Sequence, residues 1–405
     1  MASDTLTVDV AVVGAGMVGL TLANLLCKQG KSVAIIDRNQ VASFENDHPC
    51  EARVTAVSPG SQAIFEYVGA WANMQNKRVS PFSDMHVWDE AGDSQGMGAI
   101  HFNAEDVQQV HLGHIVENLV IQTSLHEVLQ EQTNVEWFLA EHIQKVISYQ
   151  SHAEVTLESG KVINAKLLVG ADGSRSTIRN LASIAFQEKS YQQMGLVALV
   201  ETEHAHEKTC WQRFLSTGPL ALLPMSNGQC SIVWSVSEDY ADELMKLSEH
   251  EFADALTQAS DMQLGNITLK SKCAAFPLIS GQADTMIQAR IALVGDAAHA
   301  LHPLAGQGAN LGFTDAAVLA NVLETTDRDI GSLKVLRKYE RARVGETQIM
   351  QKAMDGFVAA FGSNNQAIIT ARNAALRSAN SMQAVKKFFM KHAMGLSKDR
   401  PGFAR

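Results

Sequence analysis

The sequence has few cysteines and no arrangement of them that predicts a disulfide or a metal site. The five cysteines are scattered along the chain, odd in number and never in a Cys-x-x-Cys pair. This pattern argues against a disulfide framework, a zinc ribbon and a redox dithiol. It favours a reducing compartment, so we expect a cytoplasmic location.

The sequence also lacks the features of a signal anchor. The uncharged run 10–27 is close to the length of a membrane span, but only Asp4 and Asp9 carry charge before it, whereas a signal peptide needs a basic start. Polar and turn-forming residues interrupt the run. With 405 residues, 46% of them hydrophobic, the chain is expected to form a globular protein of two or three domains.

The charge of the chain is unevenly distributed. The formal net charge is -10, yet the segment 362–405 holds eight Lys or Arg against the single Asp399. Such asymmetry makes the tail a candidate for contact with an anionic surface. No nucleic-acid partner is expected.

The amino-terminal segment has the pattern of a dinucleotide-binding unit. A predicted strand, TVDVAVV (7–13), runs into GAGMVG and an apolar helix, and a second strand, SVAIID, ends at residue 37. Glycines at this strand-to-helix turn allow a tight turn, close phosphate approach and helix packing, and the helix amino terminus attracts a pyrophosphate. Asp37 is placed to accept hydrogen bonds from a ribose diol. A glycine-rich turn without ligand is the alternative, and the motif alone does not choose between NAD and FAD.

Two later segments repeat the arrangement of a strand followed by a loop and a helix. KLLVGAD (166–172) runs into a turn and a short helix with Ser176 and Arg179, and ARIALVGD (289–296) precedes a glycine-rich loop and a helix beginning near Ala309. The stretch VGDAAHALHPLAGQGANLG also has metal-ligand types in Asp296, His299 and His302. A metal would leave its glycines unexplained, so no metal site is predicted. His299 is expected to pack near a cofactor, and the role of His302 stays open.

The three motifs in this order, GxGxxG, GADGxxSxxR and GDAAHxxxPxxGQGxNxG, resemble the FAD-dependent aromatic hydroxylases, the class A flavoprotein monooxygenases. The resemblance implies an α/β fold: a Rossmann-like FAD-binding domain with an inserted antiparallel β-sheet substrate domain and a C-terminal helical region. It also implies FAD as cofactor, NAD(P)H as a transient co-substrate, and ring hydroxylation by O2 through a C4a-hydroperoxide of the flavin. We predict the FAD-binding domain in 1–78, 105–182 and 284–328, the substrate domain in 79–104 and 183–283, and the helical region in 329–405.

The resemblance also suggests roles for individual residues. Asp296 suits the ribityl chain, Arg53 matches an Arg that reaches the flavin unless it is simply solvated, and Asn118 stands where many members carry Arg. The predicted cofactor contacts are Gly14, Gly16, Gly19, Asp37, Arg38, Arg53, Gln122, Asp172, Gly173, Gly295, Asp296, Gly306, Gly308, Ala309 and Asn310. The predicted catalytic positions are His302, Pro303, Gly306 and Gln307. By chemistry alone, the candidate general bases are His111, His114, His299 and His302.

Shorter segments narrow the resemblance to the ubiquinone-biosynthesis branch. They are MHVWDEAG (85–92), LGHIVEN (112–118), GPLALLPM (218–225), CSIVWS (230–235) and HAMGL (392–396). This branch implies a polyprenylated phenol substrate, with C5 of 2-polyprenylphenol as the most specific expectation. Another ring position, a soluble aromatic substrate, a flavoprotein reductase or oxidase, and a non-catalytic scaffold stay open.

The substrate chamber and the tail give two further expectations. Aromatic and apolar residues of the inserted strands are candidates to line the chamber: Trp211, Phe214, Leu223, Pro224 and Trp234. A final helix is predicted to gather Met382, Val385, Phe389, Ala393 and Leu396 on one face, with Lys387 and Lys391 opposite. Such a helix suits peripheral contact with the inner face of the cytoplasmic membrane, or docking on the flavin domain or a subunit. A homo-oligomer and a biosynthetic complex stay open.

Overall fold

The computed structural model describes residues 5–45, 47–94, 96, 98–300, 306, 308–361 and 365–396. In this part of the chain two large sheets and a small one pack with helices into an α/β fold. The helices are α1 Met17–Lys28, α2 Pro59–Val68, α3 Ala70–Lys77, α4 Asn118–Gln130, α5 Thr177–Leu181, α6 Glu238–Leu244, α7 Glu249–Ala259, α8 Gly308–Glu324, α9 Leu333–Phe361, α10 Gln366–Ser381 and α11 Gln383–Ala393.

The first sheet has a parallel core built around the amino-terminal strand. Nearly every residue from Val8 to Val13 is buried, as expected of a central parallel strand covered by helices on both faces. The strands are β1 Thr5–Val13, β2 Val33–Asp37, β8 Val135–Leu139, β9 Ile143–Ser148, β10 Ala153–Leu157, β11 Val162–Gly170, β18 Ile287–Gln288 and β19 Ile291–Leu293, with β19, β11, β1, β2 and β8 side by side and parallel.

The second sheet is mostly antiparallel and lies beside the first. Its strands are β5 Asp84–Asp89, β6 Ala99–Asn103, β12 Phe186–Thr202, β13 Thr209–Leu215, β14 Gly218–Pro224, β15 Cys230–Ser237, β16 Ile267–Leu269, β17 Ala274–Ala283 and β20 His299–Ala300. The edge strand β20 belongs to the late glycine-rich motif and pairs with β17, Gln282 opposite His299. The late motif therefore follows β19 of the first sheet and contributes β20 to the second sheet.

A third, small sheet joins the two large ones. It consists of β3 Val54–Val57, β4 Ser80–Phe82 and β7 Gly113–Glu117, with β7 in the middle. The chain leaves β7 directly into α4, which packs against α1. This arrangement brings the segment around residue 53 next to the amino terminus of α4.

The fold class predicted from the sequence is confirmed. The strand, helix and strand of the amino-terminal motif are β1, α1 and β2, and the later motifs follow β11 and β19. The helix expected near Ala309 begins at Gly308. The small sheet and α10 were not predicted, because their segments are short or lack a clear apolar period.

Candidate active site

The first glycine motif forms a tightly packed loop with one open side. A Cβ atom on Gly14 would lie 2.3 Å from the carbonyl oxygen of Ala171, and one on Gly19 would lie 1.9 Å from that of Gly14. Both positions therefore require glycine for packing. A Cβ on Gly16 would meet no described atom within 4 Å, so this residue borders open space at the amino terminus of α1.

Two side chains hold the loop from opposite sides. The backbone N–H of Ala15 donates to Asp37 Oδ2 at 2.6 Å, and Gln122 Nε2 donates to the carbonyl of Ala15 at 2.8 Å. Asp37 thus stands at the end of β2 as expected, with one oxygen already supporting the loop. The neighbouring Arg38 is exposed. The cofactor contacts predicted for these three residues stay predictions.

The middle motif uses its acid to cap a helix. Asp172 Oδ1 accepts from the Ser176 hydroxyl at 2.5 Å, and Oδ2 accepts from the backbone N–H of Thr177 at 2.6 Å. Gly173 has a φ of +80°, a left-handed conformation that favours glycine. The predicted cofactor role of Asp172 and Gly173 stays a prediction, since the carboxylate has these partners within the protein.

Arg179 of the middle motif links it to the late motif. Its buried guanidinium donates to the carbonyls of Ala297 at 3.0 Å and Ser174 at 2.7 Å. It also lies 3.8 Å from the ring centroid of Phe186, a cation–π distance. The two loops are therefore held in a fixed relation to each other.

A buried charge network supports the late motif from below. Asp315 of α8 accepts from the backbone N–H of Gly295 at 2.9 Å, from His299 Nε2 at 2.6 Å and from Arg343 Nε at 2.6 Å. Arg343 also pairs with Glu346. Although burial opposes it, the neighbouring His299 and Arg343 lower the pKa of Asp315. His299 therefore packs beneath the loop through Asp315, in line with its expected packing role.

Asp296 differs from its neighbours because its side chain reaches solvent. Protein atoms nevertheless crowd its carboxylate, and this desolvation raises its pKa, with His299 opposing and Asp315 adding to the rise. Gly295, just before it, has a φ of +59°. Among the described residues, no group of three or more His, Cys, Asp or Glu is placed to hold a metal ion.

The helix that follows the late loop is anchored by Asn310. Its amide oxygen accepts from the Ser61 hydroxyl at 2.7 Å and the Ser58 backbone N–H at 3.0 Å, and its amide nitrogen donates to Ala56 at 2.8 Å. The side chain is thus fully engaged with protein. The backbone N–H groups in the first turn of α8, including those of Gly308 and Ala309, have no acceptor within the helix and form an anion-attracting terminus.

Three of the four predicted catalytic positions, His302, Pro303 and Gln307, lie outside the described residues. The fourth, Gly306, has a φ of +59° and lies 3.6 Å from the Ala56 side chain, measured from an added Cβ. Gly306 also borders a cavity of about 380 Å³. The late loop therefore reaches the cavity at this residue.

The cavity lies between Gly306, the small sheet, the second large sheet and α11. Its lining is mainly apolar and aromatic: Ala52, Val54, Ala56, Val57, Phe82, Met85, Phe102, Leu112, Val197, Cys210, Trp211, Pro219, Ala221, Leu223, Val233, Phe276, Met390, Ala393 and Met394. Polar groups come from Arg53, Ser58, Asn118, Gln212 and Ser235. Arg53 is exposed and makes no hydrogen bond or ion pair through its side chain within the described part of the chain.

The chamber residues expected from the sequence are only partly correct. Trp211 and Leu223 line the cavity. Trp234 instead packs in the core on the opposite face of the sheet, Phe214 stacks on Phe361, and Pro224 is not part of the lining. The alternation of strand residues explains this, because Val233 and Ser235 face the cavity while Trp234 between them points away.

The final helix α11 was expected to bury a different face. Met390 and Met394 are buried and Lys386 is 6% exposed, paired with Asp106 at 2.7 Å. Met382 and Ala393 are exposed, although Ala393 borders the cavity, and Leu396 packs partly against the same cluster. The predicted apolar face is therefore wrong in part, because the buried face contains Lys386, whose charge is compensated by Asp106. The side chains of Val385 and Phe389 lie outside the described part.

The His111 and His114 pair does not reach the cavity. His114 packs edge to face on Trp71 and on His111, and neither histidine is among the lining residues. Burial, together with His111, lowers the pKa of His114 to about 4. This pair is a poor candidate for the general base.

Comparison with known proteins identifies the family to which the chain belongs. A family model described as an FAD binding domain matches residues 7–355. The chain belongs to the FAD-dependent aromatic-ring hydroxylases. This hydroxylase is 32% identical to the 3-demethoxyubiquinol 3-hydroxylase of Escherichia coli, over 96% of this chain and 98% of the relative.

A second relative agrees with this family, and two solved structures share the fold. The hydroxylase is 32% identical to the mitochondrial ubiquinone biosynthesis monooxygenase COQ6 of Danio rerio, over 95% of this chain and 89% of the relative. PqsL of Pseudomonas aeruginosa, solved with 2-aminobenzoylacetate, covers 92% of this chain and 100% of its own with a TM-score of 0.77 at 22% identity. The p-nitrophenol 4-monooxygenase PnpA of Pseudomonas putida covers 98% of this chain and 100% of its own, with a TM-score of 0.76 at 18% identity. These two show the fold.

The residues present fit FAD, the cofactor of this family. Gly16 leaves open space at the amino terminus of α1, where a pyrophosphate is stabilised by free N–H groups. The terminus of α8 offers a second set of N–H groups beside the cavity. Asp315 and Arg343 were missed from the sequence, although a lone acid in the apolar stretch of α8 was a usable signal for a buried partner.

Proposed function

We propose that the enzyme hydroxylates the aromatic ring of a polyprenylated phenol in ubiquinone biosynthesis, with C5 of 2-polyprenylphenol as the first candidate position. Support comes from the relatives, since COQ6 and 3-demethoxyubiquinol 3-hydroxylase match over nearly their full lengths. Bound FAD supplies oxygen activation, with electrons from NAD(P)H.

The observation that carries this proposal is the cavity that Gly306 shares with the second sheet. Its volume of about 380 Å³ lies in the range of about 300–1,000 Å³ usual for small-molecule sites. An aromatic ring fits between the late loop and the sheet, whereas a long polyprenyl tail has to leave along the apolar lining. A substrate with a small polar ring and an apolar tail suits this distribution of side chains.

The residues of the chain then perform three tasks. The apolar walls, including Phe82, Phe102 and Phe276, exclude water from the ring and the cofactor. The free N–H groups in the first turn of α8 would stabilise negative charge on a bound cofactor. The Asp315 network and Arg179 keep the middle and late motifs fixed relative to each other, and would so hold a bound cofactor in one position.

A second candidate function is hydroxylation of a later intermediate at another ring position. The name of the Escherichia coli relative, 3-demethoxyubiquinol 3-hydroxylase, favours it. The cavity is compatible with both rings, because they differ by small substituents.

Purified holoenzyme supplied with NAD(P)H, O2 and short-chain versions of both substrates tests the proposal, with products identified by mass spectrometry. The expected result is a gain of one oxygen on 2-polyprenylphenol and faster NAD(P)H oxidation in its presence. Hydroxylation of demethoxyubiquinol alone would select the second candidate. Hydroxylation of neither, with rapid turnover of a soluble hydroxybenzoate, would refute both.

The location of the enzyme is proposed to be peripheral, at a membrane surface that holds the substrate. No helix in the described part of the chain is long and apolar enough to span a bilayer. Because the buried face of α11 forms part of the cavity wall, the contact we propose uses its exposed Lys387 and Lys391 and anionic lipid.

A further inference from the structure

The cavity wall formed by the second sheet contains few polar groups. They are the Cys210 thiol, the Trp211 indole, the Gln212 amide and the Ser235 hydroxyl. Gln212 is already engaged with another group, and a thiol is a weak hydrogen-bond donor. The Trp211 N–H is a donor only and is enclosed by protein atoms. Ser235 is therefore the remaining group of this wall that can both donate and accept a strong hydrogen bond.

Ser235 is buried, with 2% of its surface exposed, and lies on β15 with its side chain on the cavity face. Its neighbours on the strand, Trp234 and Val236, belong to the core on the other face. In the described part of the chain, the Ser235 hydroxyl has no hydrogen-bond partner. Its oxygen is not among the fully enclosed polar atoms without a partner, so it faces the cavity. A ligand that fills the cavity removes water from this hydroxyl, and leaving it unsatisfied would then cost free energy.

An aromatic ring of the protein lies beside Ser235 at the cavity wall. Its partner across the strand pair is Gly195, which has no side chain. A Cβ on Gly195 would lie 2.9 Å from Phe276 Cε2, so the Phe276 ring extends over the glycine. A hydroxyl thus stands next to an aromatic face at the cavity wall, an arrangement that matches the two parts of a phenol.

We infer that Ser235 binds the phenol hydroxyl of the substrate and fixes which ring carbon faces the cofactor. This inference rests on the proposed function. The serine hydroxyl accepts a hydrogen bond from a neutral phenol and donates one to a phenolate. A methyl ether of the same ring has no hydrogen to donate, and its methyl group obstructs the contact. A buried site built to bond a hydroxyl discriminates against such an analogue.

The test measures by calorimetry the affinity of the holoenzyme for a short-chain prenylphenol and for the methyl ether of the same compound. The variant Ser235→Ala removes the hydroxyl, and Ser231→Ala is the matched control. Ser231 lies on the same strand and face, is fully buried, and already donates to the carbonyl of Ala52 at 2.8 Å.

The wild-type enzyme is expected to bind the phenol more tightly than the ether. In Ser235→Ala this preference should shrink by about 2- to 12-fold, the usual effect of one neutral hydrogen bond, while Ser231→Ala retains it. Ser235→Thr keeps a hydroxyl and should retain most of the preference. Ser235→Ala should also yield less hydroxylated product per NAD(P)H oxidised.

The outcomes separate this inference from the proposed function. If the wild-type enzyme binds and hydroxylates the phenol, but Ser235→Ala shows an unchanged preference and unchanged coupling, Ser235 has no role in binding the ring. If the wild-type enzyme neither binds nor hydroxylates a prenylated phenol, the proposed function fails, and the assignment of this ligand to Ser235 fails with it.

Discussion

Replacing Asp315 by Asn should weaken both the fold and FAD binding. The carboxylate is fully buried and accepts from three groups: the Gly295 backbone, His299 and Arg343. Asn keeps the shape but removes the charge and one acceptor. Breaking one side of a buried ion pair costs about 3–5 kcal/mol, because the remaining charge stays buried without compensation. We therefore expect the free energy of unfolding to fall by about 3 kcal/mol.

The same change should release the loop that carries Asp296. In the variant the Asn oxygen is expected to stay on the charged Arg343, so its NH2 group faces the Gly295 N–H and cannot accept from it. Gly295 then no longer holds the loop in one position. We expect about a tenfold loss of FAD affinity, which corresponds to about 1.4 kcal/mol. Urea denaturation measures the first effect, and recovery of flavin fluorescence on dilution measures the second. Both assays need the purified holoenzyme.

Glu201→Gln provides the matched control. Glu201 pairs with Lys270 at 2.5 Å, but both side chains are exposed, and surface pairs contribute about 0–1 kcal/mol. The control should leave FAD affinity unchanged. Equal effects of Asp315→Asn and Glu201→Gln on unfolding and on FAD affinity would refute the importance of the buried network.

Three further predictions concern stability, membrane contact and the glycine loop. Burial and a neighbouring histidine lower the pKa of His114 to about 4. As the pH falls from 6.5 toward 4, the unfolded state takes up a proton that the folded state does not, so the free energy of unfolding should fall by about 3 kcal/mol. His114→Asn should flatten this decline in denaturation curves. Reversing Lys387 and Lys391 to Glu should abolish flotation with anionic liposomes, whereas wild-type protein that never floats would contradict the membrane proposal. Gly16→Ala should fold normally but bind FAD at least about tenfold more weakly. Gly19→Ala should lose stability as well, since its Cβ would meet a carbonyl oxygen at 1.9 Å. Equal melting temperatures of the two variants would count against this packing argument.

Much of the fold was predictable because local order and spacing are informative there. A buried strand, three spaced glycines, an apolar helix and a terminal acid predict β1, α1, β2 and Asp37 without knowledge of distant contacts. The same is true of α8, where the glycine-rich loop ends and an apolar period begins.

The side chains that line the cavity were less predictable, because they depend on which face of each strand of the second sheet is turned toward the cavity. Period-two alternation separates Trp234 from Val233 and Ser235, but it does not say which set faces the cavity. Size favoured Trp234, whereas pairing with β12 and the helices behind β15 places it in the core. Arg343 was missed for a similar reason, since its partner Asp315 lies on another helix.

The short strand β20 has a practical consequence for protein engineering. His299 and Ala300 continue the late flavin motif and at the same time complete the edge of the sheet that lines the cavity. Grafting residues 186–283 from another hydroxylase would therefore import the central strands without β20 at one edge and without β5 and β6 at the other. In a functional chimaera, Gly281 and Gln282 of the grafted β17 have to pair with the recipient's own β20. This pairing limits which substrate sheets can be exchanged.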